Sequence, residues 1–199
     1  MQGQINGMYY HFTSFQIMAA VAVLLVLIVV AVGLYAEHRK KRTAALKNRF
    51  GSEYDRAVLK HGSASEAENK LANRTTRVDT FEIRELGVTE RERLINDWHT
   101  VQSRFVDHPK LAVIEADDLI NGLLEARGYP VANFEQRAAD VSVGYPRIMG
   151  SYRLAHDVAV RNGSVDATTE ELRTAMIQYR GIFDELIQVR NSHPVAVAA

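Results

Sequence analysis

Three groups of side chains in this chain have the types and spacing to do chemistry. The first is acidic: Glu115, Asp117 and Asp118. Glu115 and Asp118 stand three residues apart, on one face of a helix. Two carboxylates so placed could bind a divalent cation or do acid–base work. The plainer reading, a solvated acidic face beside a buried leucine stripe, is preferred because charge runs usually face water.

The second group lies between Arg127 and His156. Arg137, Asp140, Tyr145, Arg147, Arg153 and His156 are its candidate ligand-binding residues. Arginines with tyrosine hydroxyls can hold a carboxylate or a phosphate. The competing reading is structural: Glu135, Arg137 and Asp140 would tie a short helix to its neighbours by ion pairs. The third group is histidine. His99, His108 and His156 show no pair at ligand spacing on one helix, and no nucleophile or partner carboxylate can be named for them.

Other constellations are missing from the sequence. There is no phosphate-cradling glycine loop, no nucleophile elbow and no His-Glu-x-x-His. No Glu has a His three residues later, as a di-iron bundle requires. With no Cys in 199 residues, disulfides, thiolate metal sites and a Cys nucleophile are excluded. The sequence therefore nominates no catalytic residue, no metal ligand and no cofactor.

The elements that position these groups follow from charge and periodicity. Lys and Arg together number 24, as do Asp and Glu, but they are unevenly placed. Residues 1–36 carry none of them. Ile17 to Leu34 is an unbroken apolar run with six Val, four Leu and two Ile. With its flanks it reaches about 22 residues, or about 33 Å as a helix, enough for a hydrocarbon core of about 30 Å. Those twelve side chains favour insertion by about 4 to 7 kcal/mol. Tyr9, Tyr10, Phe12 and Phe15 precede the run and Tyr35 closes it, as interfacial aromatic rings do. A cleaved signal peptide is the rival, but the n-region lacks positive charge and the core is too long.

Arg39, Lys40, Lys41 and Arg42 head a basic collar of six cations against Glu37. All lie C-terminal to the span, so the positive-inside rule predicts an inner-membrane, single-pass protein with its N-terminus outside and residues 37–199 cytoplasmic. These four are also the candidate lipid-headgroup contacts. Residues 51–199 keep 18 basic and 23 acidic side chains, an acidic body that argues against a nucleic-acid partner.

Beyond the collar the pattern is all-α, without a run of alternating β-branched residues. Expected are a membrane helix over 15–36, a basic segment over 37–50, a helical stalk over 51–88, an antiparallel helical bundle over 89–190, and a disordered tail over 191–199. The stalk reading rests on sparse apolar positions, Ala67, Leu71 and Val78. Capping boxes are read at Ser63–Glu66, Thr89–Glu92 and Thr168–Glu171. Leu172, Met176, Tyr179, Phe183 and Leu186 give the strongest helical stripe.

Several segments carry a resemblance. Arg49-Phe50-Gly51-Ser52-Glu53-Tyr54-Asp55-Arg56, Val101–Asp107, Phe134-Glu135-Gln136-Arg137-Ala138-Ala139-Asp140-Val141-Ser142-Val143, Tyr152–His156 and Ala175–Leu186 resemble an uncharacterised family of bacterial single-pass membrane proteins with a helical soluble domain. The resemblance implies bacterial origin and a membrane anchor, and brings no activity, cofactor or partner with it. Two functional expectations follow from the residues. The first is a cytoplasmic interaction or scaffold module, held at the membrane, that offers an apolar groove of Leu and Tyr side chains to an unidentified protein partner. The second is a membrane-tethered sensor that binds a small anion through the Arg127–His156 group.

Overall fold

The computed structural model describes residues 14–161 and 167–188, with side chains of the first helix from Met18 onward. Among the described residues there are eight α-helices, one 3-10 turn and no strand. The chain divides into two compact units, Met1–Ala45 and Leu46–Ala199.

In the first unit, helix α1 (Ser14–Phe50) is apolar on every side through its N-terminal half, and its apolar window is wholly exposed. A helix hydrophobic all round belongs in an apolar medium. By length and composition α1 can cross a membrane, a test that a signal sequence near an N-terminus also passes. Arg39, Lys40, Lys41 and Arg42 are exposed on it, and Lys41 pairs with Glu37 at 3.7 Å.

The second unit opens with the last turn of α1. Helices α2 (Ser52–His61) and α3 (Ala64–Val78) follow as a hairpin. Gly62, at φ 75°, ends α2 in the left-handed conformation that suits glycine. The Ser63 side chain accepts from the Glu66 N–H and starts α3. The expected solvated stalk is absent here. Phe50, Tyr54, Ala57, Ala67, Leu71 and Val78 are buried together with Val143 of α6 (Phe134–Gly144). The Tyr54 hydroxyl donates to buried Glu68 at 3.1 Å across the hairpin. The apolar positions are few because small Ala side chains let the two helices approach closely, so a short stripe is enough.

The link over residues 79–87 is irregular but pinned. Phe81 and Ile83 pack against both apolar clusters, and the Arg84 N–H donates to the Arg127 carbonyl at 3.0 Å. Gly128, at φ 90°, lies so close to the Glu82 carbonyl that a Cβ there would collide with it.

Helices α4 (Val88–Arg104), α5 (Pro109–Ala126), α7 (Met149–Arg161) and α8 (Thr169–Ile187) enclose the main core, with α6 and the 3-10 turn (Pro146–Ile148) on its side. The Thr168–Glu171 capping box is complete. That at Thr89–Glu92 is not formed: α4 begins at Val88 after Gly87, and Glu90 instead takes a bidentate hydrogen bond from Arg84. All five residues of the α8 stripe are buried. Trp98 of α4 stacks on Phe183 of α8, ring centroids 5.0 Å apart. Buried Arg127 donates to the Leu186 carbonyl at 2.7 Å, satisfying the C-terminal end of α8. Residues 162–166 and the tail over 191–199 lie outside the described residues.

Leu71 is fully buried, so Leu71→Ala should cost about 2 to 5 kcal/mol of unfolding free energy in a denaturant titration of the full chain. A solvated stalk would lose no more than about 0.5 kcal/mol at that position.

Candidate functional site

A cleft of about 510 Å³ opens between the α2–α3 hairpin and the α6–α7 side of the bundle. Helix α2 contributes Glu53, Arg56 and Lys60 at helical spacing. Helix α3 contributes Lys70, Arg74 and Arg77, again on one face. The first turn of α6 supplies Glu135 and Gln136, and α7 supplies Arg153. Six cationic side chains of the lining thus face the carboxylates of Glu53 and Glu135, with Asp140 behind Arg77. The volume lies within the range of small-molecule sites.

Arg153 is the centre of this arrangement. Its Nε and Nη2 donate to the two oxygens of Glu53 at 3.4 and 3.2 Å, and its Nη1 donates to Glu135 at 3.2 Å. Glu135 also takes Lys60 at 3.4 Å. Burial works to raise the Glu135 carboxyl, but Arg153, Lys60 and Arg56 outweigh it and hold it below its usual value. At the wall of the cleft, buried Asp140 accepts from Gln136 at 2.9 Å and pairs with Arg77 at 3.3 Å. Burial raises its carboxyl in spite of these partners.

Positive charge remains in excess. Arg74 Nη1 lies 4.0 Å from Glu53 and makes no hydrogen bond. Burial pulls its guanidinium below the usual value, and the nearby Arg153 adds to that, against the opposing pull of Glu53. Arg56 and Lys70 are exposed on the cleft wall. The cleft therefore offers charge-assisted donors to an anion.

A second cluster lies inside the bundle. Asp117 of α5 is buried, and its Oδ1 accepts from the Tyr179 hydroxyl of α8 at 2.7 Å and lies 3.0 Å from His156 Nδ1 of α7. Asn121 donates to its other oxygen at 3.3 Å and accepts from the Tyr152 hydroxyl at 3.2 Å. The His156 ring stacks on Phe134, centroids 3.6 Å apart. Burial is the largest influence on Asp117 and would raise it, yet His156, Tyr179 and Asn121 together hold it below its usual value. The same burial pushes the Tyr152 hydroxyl up to about 12 and Tyr179 higher still. These hydrogen bonds make the cluster a core network joining α5, α7 and α8.

Of the six nominated ligand-binding residues, the structure places only Arg153 on the cleft lining, with Asp140 at its wall. His156 belongs to the Asp117 network, and Arg137 sits beside the Tyr152 hydroxyl. Tyr145 is buried under the Arg127 guanidinium, and Arg147 is exposed on the 3-10 turn. The carboxylate pair is not brought together as a site: Glu115 is paired with Arg104, and Asp118 faces solvent. His99 and His108 are exposed. Among the described residues no group of three His, Asp or Glu is arranged to hold a metal.

Sequence reading passed over Arg56, Lys60, Lys70, Arg74 and Arg77. Their signal was the basic stripe at spacings of three and four on two consecutive helices. Segments Arg49–Arg56, Phe134–Val143 and Tyr152–His156, noted above for their resemblance, all contribute residues to the cleft or its wall.

The Asp117 network has a defined pH dependence. With a folded value below the ordinary 3.8, its contribution is complete above about pH 3.8 and is lost as the pH falls through the folded value. Asp117→Asn should destabilise the protein at neutral pH by about 1 to 3 kcal/mol. The gap between variant and wild type, read by denaturant titration at each pH, should close below pH 3.8. A gap that stayed constant with pH would mean that Asp117 acts by shape and not by charge. Compared with known proteins, the chain matches no family model, no curated protein and no solved structure, so the chemistry of the cleft itself carries the functional reading.

Proposed function

We propose that this protein is a membrane-anchored sensor domain that binds a small anion in the cleft between the α2–α3 hairpin and α6–α7. The observation that carries the reading is the charge imbalance of that cleft: six Arg and Lys side chains against three carboxylates, Glu53, Glu135 and Asp140, with Arg74 lacking a hydrogen-bond partner at its buried Nη1. The alternative, a scaffold that docks a protein through an apolar groove, has less support. Tyr129, Tyr145, Tyr152 and Tyr179 are buried in the core, and this cleft is lined by charge. On the reading proposed here, α1 is a single-pass inner-membrane anchor. Its basic collar (Arg39, Lys40, Lys41, Arg42) contacts anionic headgroups and keeps the domain in the cytoplasm. No catalytic residue is assigned on this reading.

Two experiments test it. Thermal melts of the full chain in detergent should shift upward with inorganic phosphate, and saturation at a hundred times Kd corresponds to about 2.7 kcal/mol. Phosphate also stabilises proteins by exclusion from their surface, so the decisive comparison is Arg56→Ala/Lys70→Ala, which should lose the saturable part. An identical shift in that variant would sink the anion site. For orientation, the chain lacks Cys, so Ser65→Cys, at an exposed position, gives a single thiol. It should resist a membrane-impermeant maleimide in intact cells and react after lysis. Labelling of intact cells would place the domain outside.

A further inference from the structure

Resting on the anion-binding reading above, the geometry points to a more specific device: the ligand carries a phosphoryl group, and Glu135 is a resident competitor that this group displaces. Glu135 is the one carboxylate of the cleft lining that is not committed to the interior. Glu53 is buried and held by both Nε and Nη2 of Arg153. Glu135 has a side chain 58 % exposed, yet it bridges Lys60 of α2 to Arg153 of α7 across the cleft. It thereby does what a bound anion would do, drawing cations of the two walls towards one negative group.

The charge of the ligand follows from what Glu135 leaves behind. When Glu135 swings out, Lys60 and the Nη1 of Arg153 lose their partner and join Arg56, Lys70 and Arg74. A monocarboxylate would replace the single charge of Glu135 and leave the original excess in place. A phosphomonoester or a diphosphate brings two or more charges and several acceptor oxygens, which suits both the planar guanidinium donors and the point charges of lysine. In the unliganded protein the carboxylate keeps the two walls joined, and its departure sets the threshold concentration at which the ligand enters.

The test is isothermal titration of the full chain in detergent with inorganic pyrophosphate, and with citrate as a carboxylate of comparable charge. Wild type should bind pyrophosphate at least tenfold tighter than citrate. Glu135→Gln keeps the side-chain shape and removes the competing charge, so it should tighten pyrophosphate binding about fivefold or more. Arg56→Ala/Lys70→Ala should weaken it tenfold or more. Pyrophosphate binding that depends on Arg56 and Lys70 but is unchanged or weakened in Glu135→Gln would leave the anion site standing and overturn the competitor. Equal binding of citrate and pyrophosphate would overturn the phosphoryl preference. No heat with either anion, in wild type and Glu135→Gln alike, would remove the anion site itself. Repeating the titration in phosphatidylcholine vesicles with and without phosphatidic acid assigns the source. Weakened pyrophosphate binding in the presence of phosphatidic acid indicates a lipid headgroup, and unchanged binding a soluble phosphorylated compound; both keep the phosphoryl chemistry.

Discussion

The ion pair between Glu53 and Arg153 is the constraint on which the second unit turns. Its side chains are 5 % and 12 % exposed, and they join residues one hundred positions apart in the chain. Withdrawing two charges from water is costly, and the cost is recovered only if the partners meet with good geometry. The α2–α3 hairpin therefore docks on α6–α7 in one register, the one that brings both oxygens of Glu53 to the guanidinium. A hydrophobic contact such as Phe50 or Leu71 against Val143 would tolerate sliding. The ion pair does not, and so it defines the width of the cleft beside it.

That docking is coupled to the bundle core through adjacent residues. On α6, Phe134 stacks against His156 while the next residue, Glu135, reaches into the cleft. On α7, Tyr152 enters the Asp117 network while the next residue, Arg153, binds Glu53. Each helix thus shows one face to the hydrogen-bonded core and the other to the charged cleft. The contrast has a physical basis. Asp117 is hydrogen-bonded to Tyr179, His156 and Asn121, whereas Arg74 keeps a buried Nη1 without a hydrogen-bond partner. A hydrogen-bonded network behind a charged lining helps hold binding groups in place before a ligand arrives.

Much of this architecture was legible in the residues. The α8 stripe, the Ser63 and Thr168 caps, the Gly62 stop and the apolar run of α1 all act locally, through spacing and side-chain type, and the structure carries each of them. The packing of the hairpin over residues 52–78 was not legible, although its helical character and the Ser63 cap were. Its burial comes from Ala57 and Ala67, whose small side chains register weakly in any hydrophobic pattern, and from Val143, distant in sequence. The nominated ligand residues failed to gather for a related reason. Arg137, Arg147 and His156 lie near Arg153 in the chain, but helical rotation and the 3-10 turn send them to different faces. The cations that do share its cleft come from α2 and α3. Asp117 was similarly hidden, since a carboxylate flanked by Asp118 and Glu115 reads as solvated until Tyr179 and His156 are seen to enclose it.

The distribution of charge bears on the kind of anion that such a cleft can select. Residues 51–199 carry more acidic than basic side chains, yet the cleft carries a local excess of cations. A positive pocket within an acidic body acts at short range, because surface charges are screened beyond about 8 to 10 Å at physiological salt. A long polyanion needs phosphate contacts spread over a broad basic surface, and residues 51–199 carry a net acidic charge. A compact anion, with its charge concentrated in one group, gains the attraction of Arg56, Lys70 and Arg74 without meeting that repulsion. Charge that is poorly matched locally and acidic globally therefore favours a small ligand over an extended one, and the resident carboxylate of Glu135 raises the charge density that such a ligand must bring.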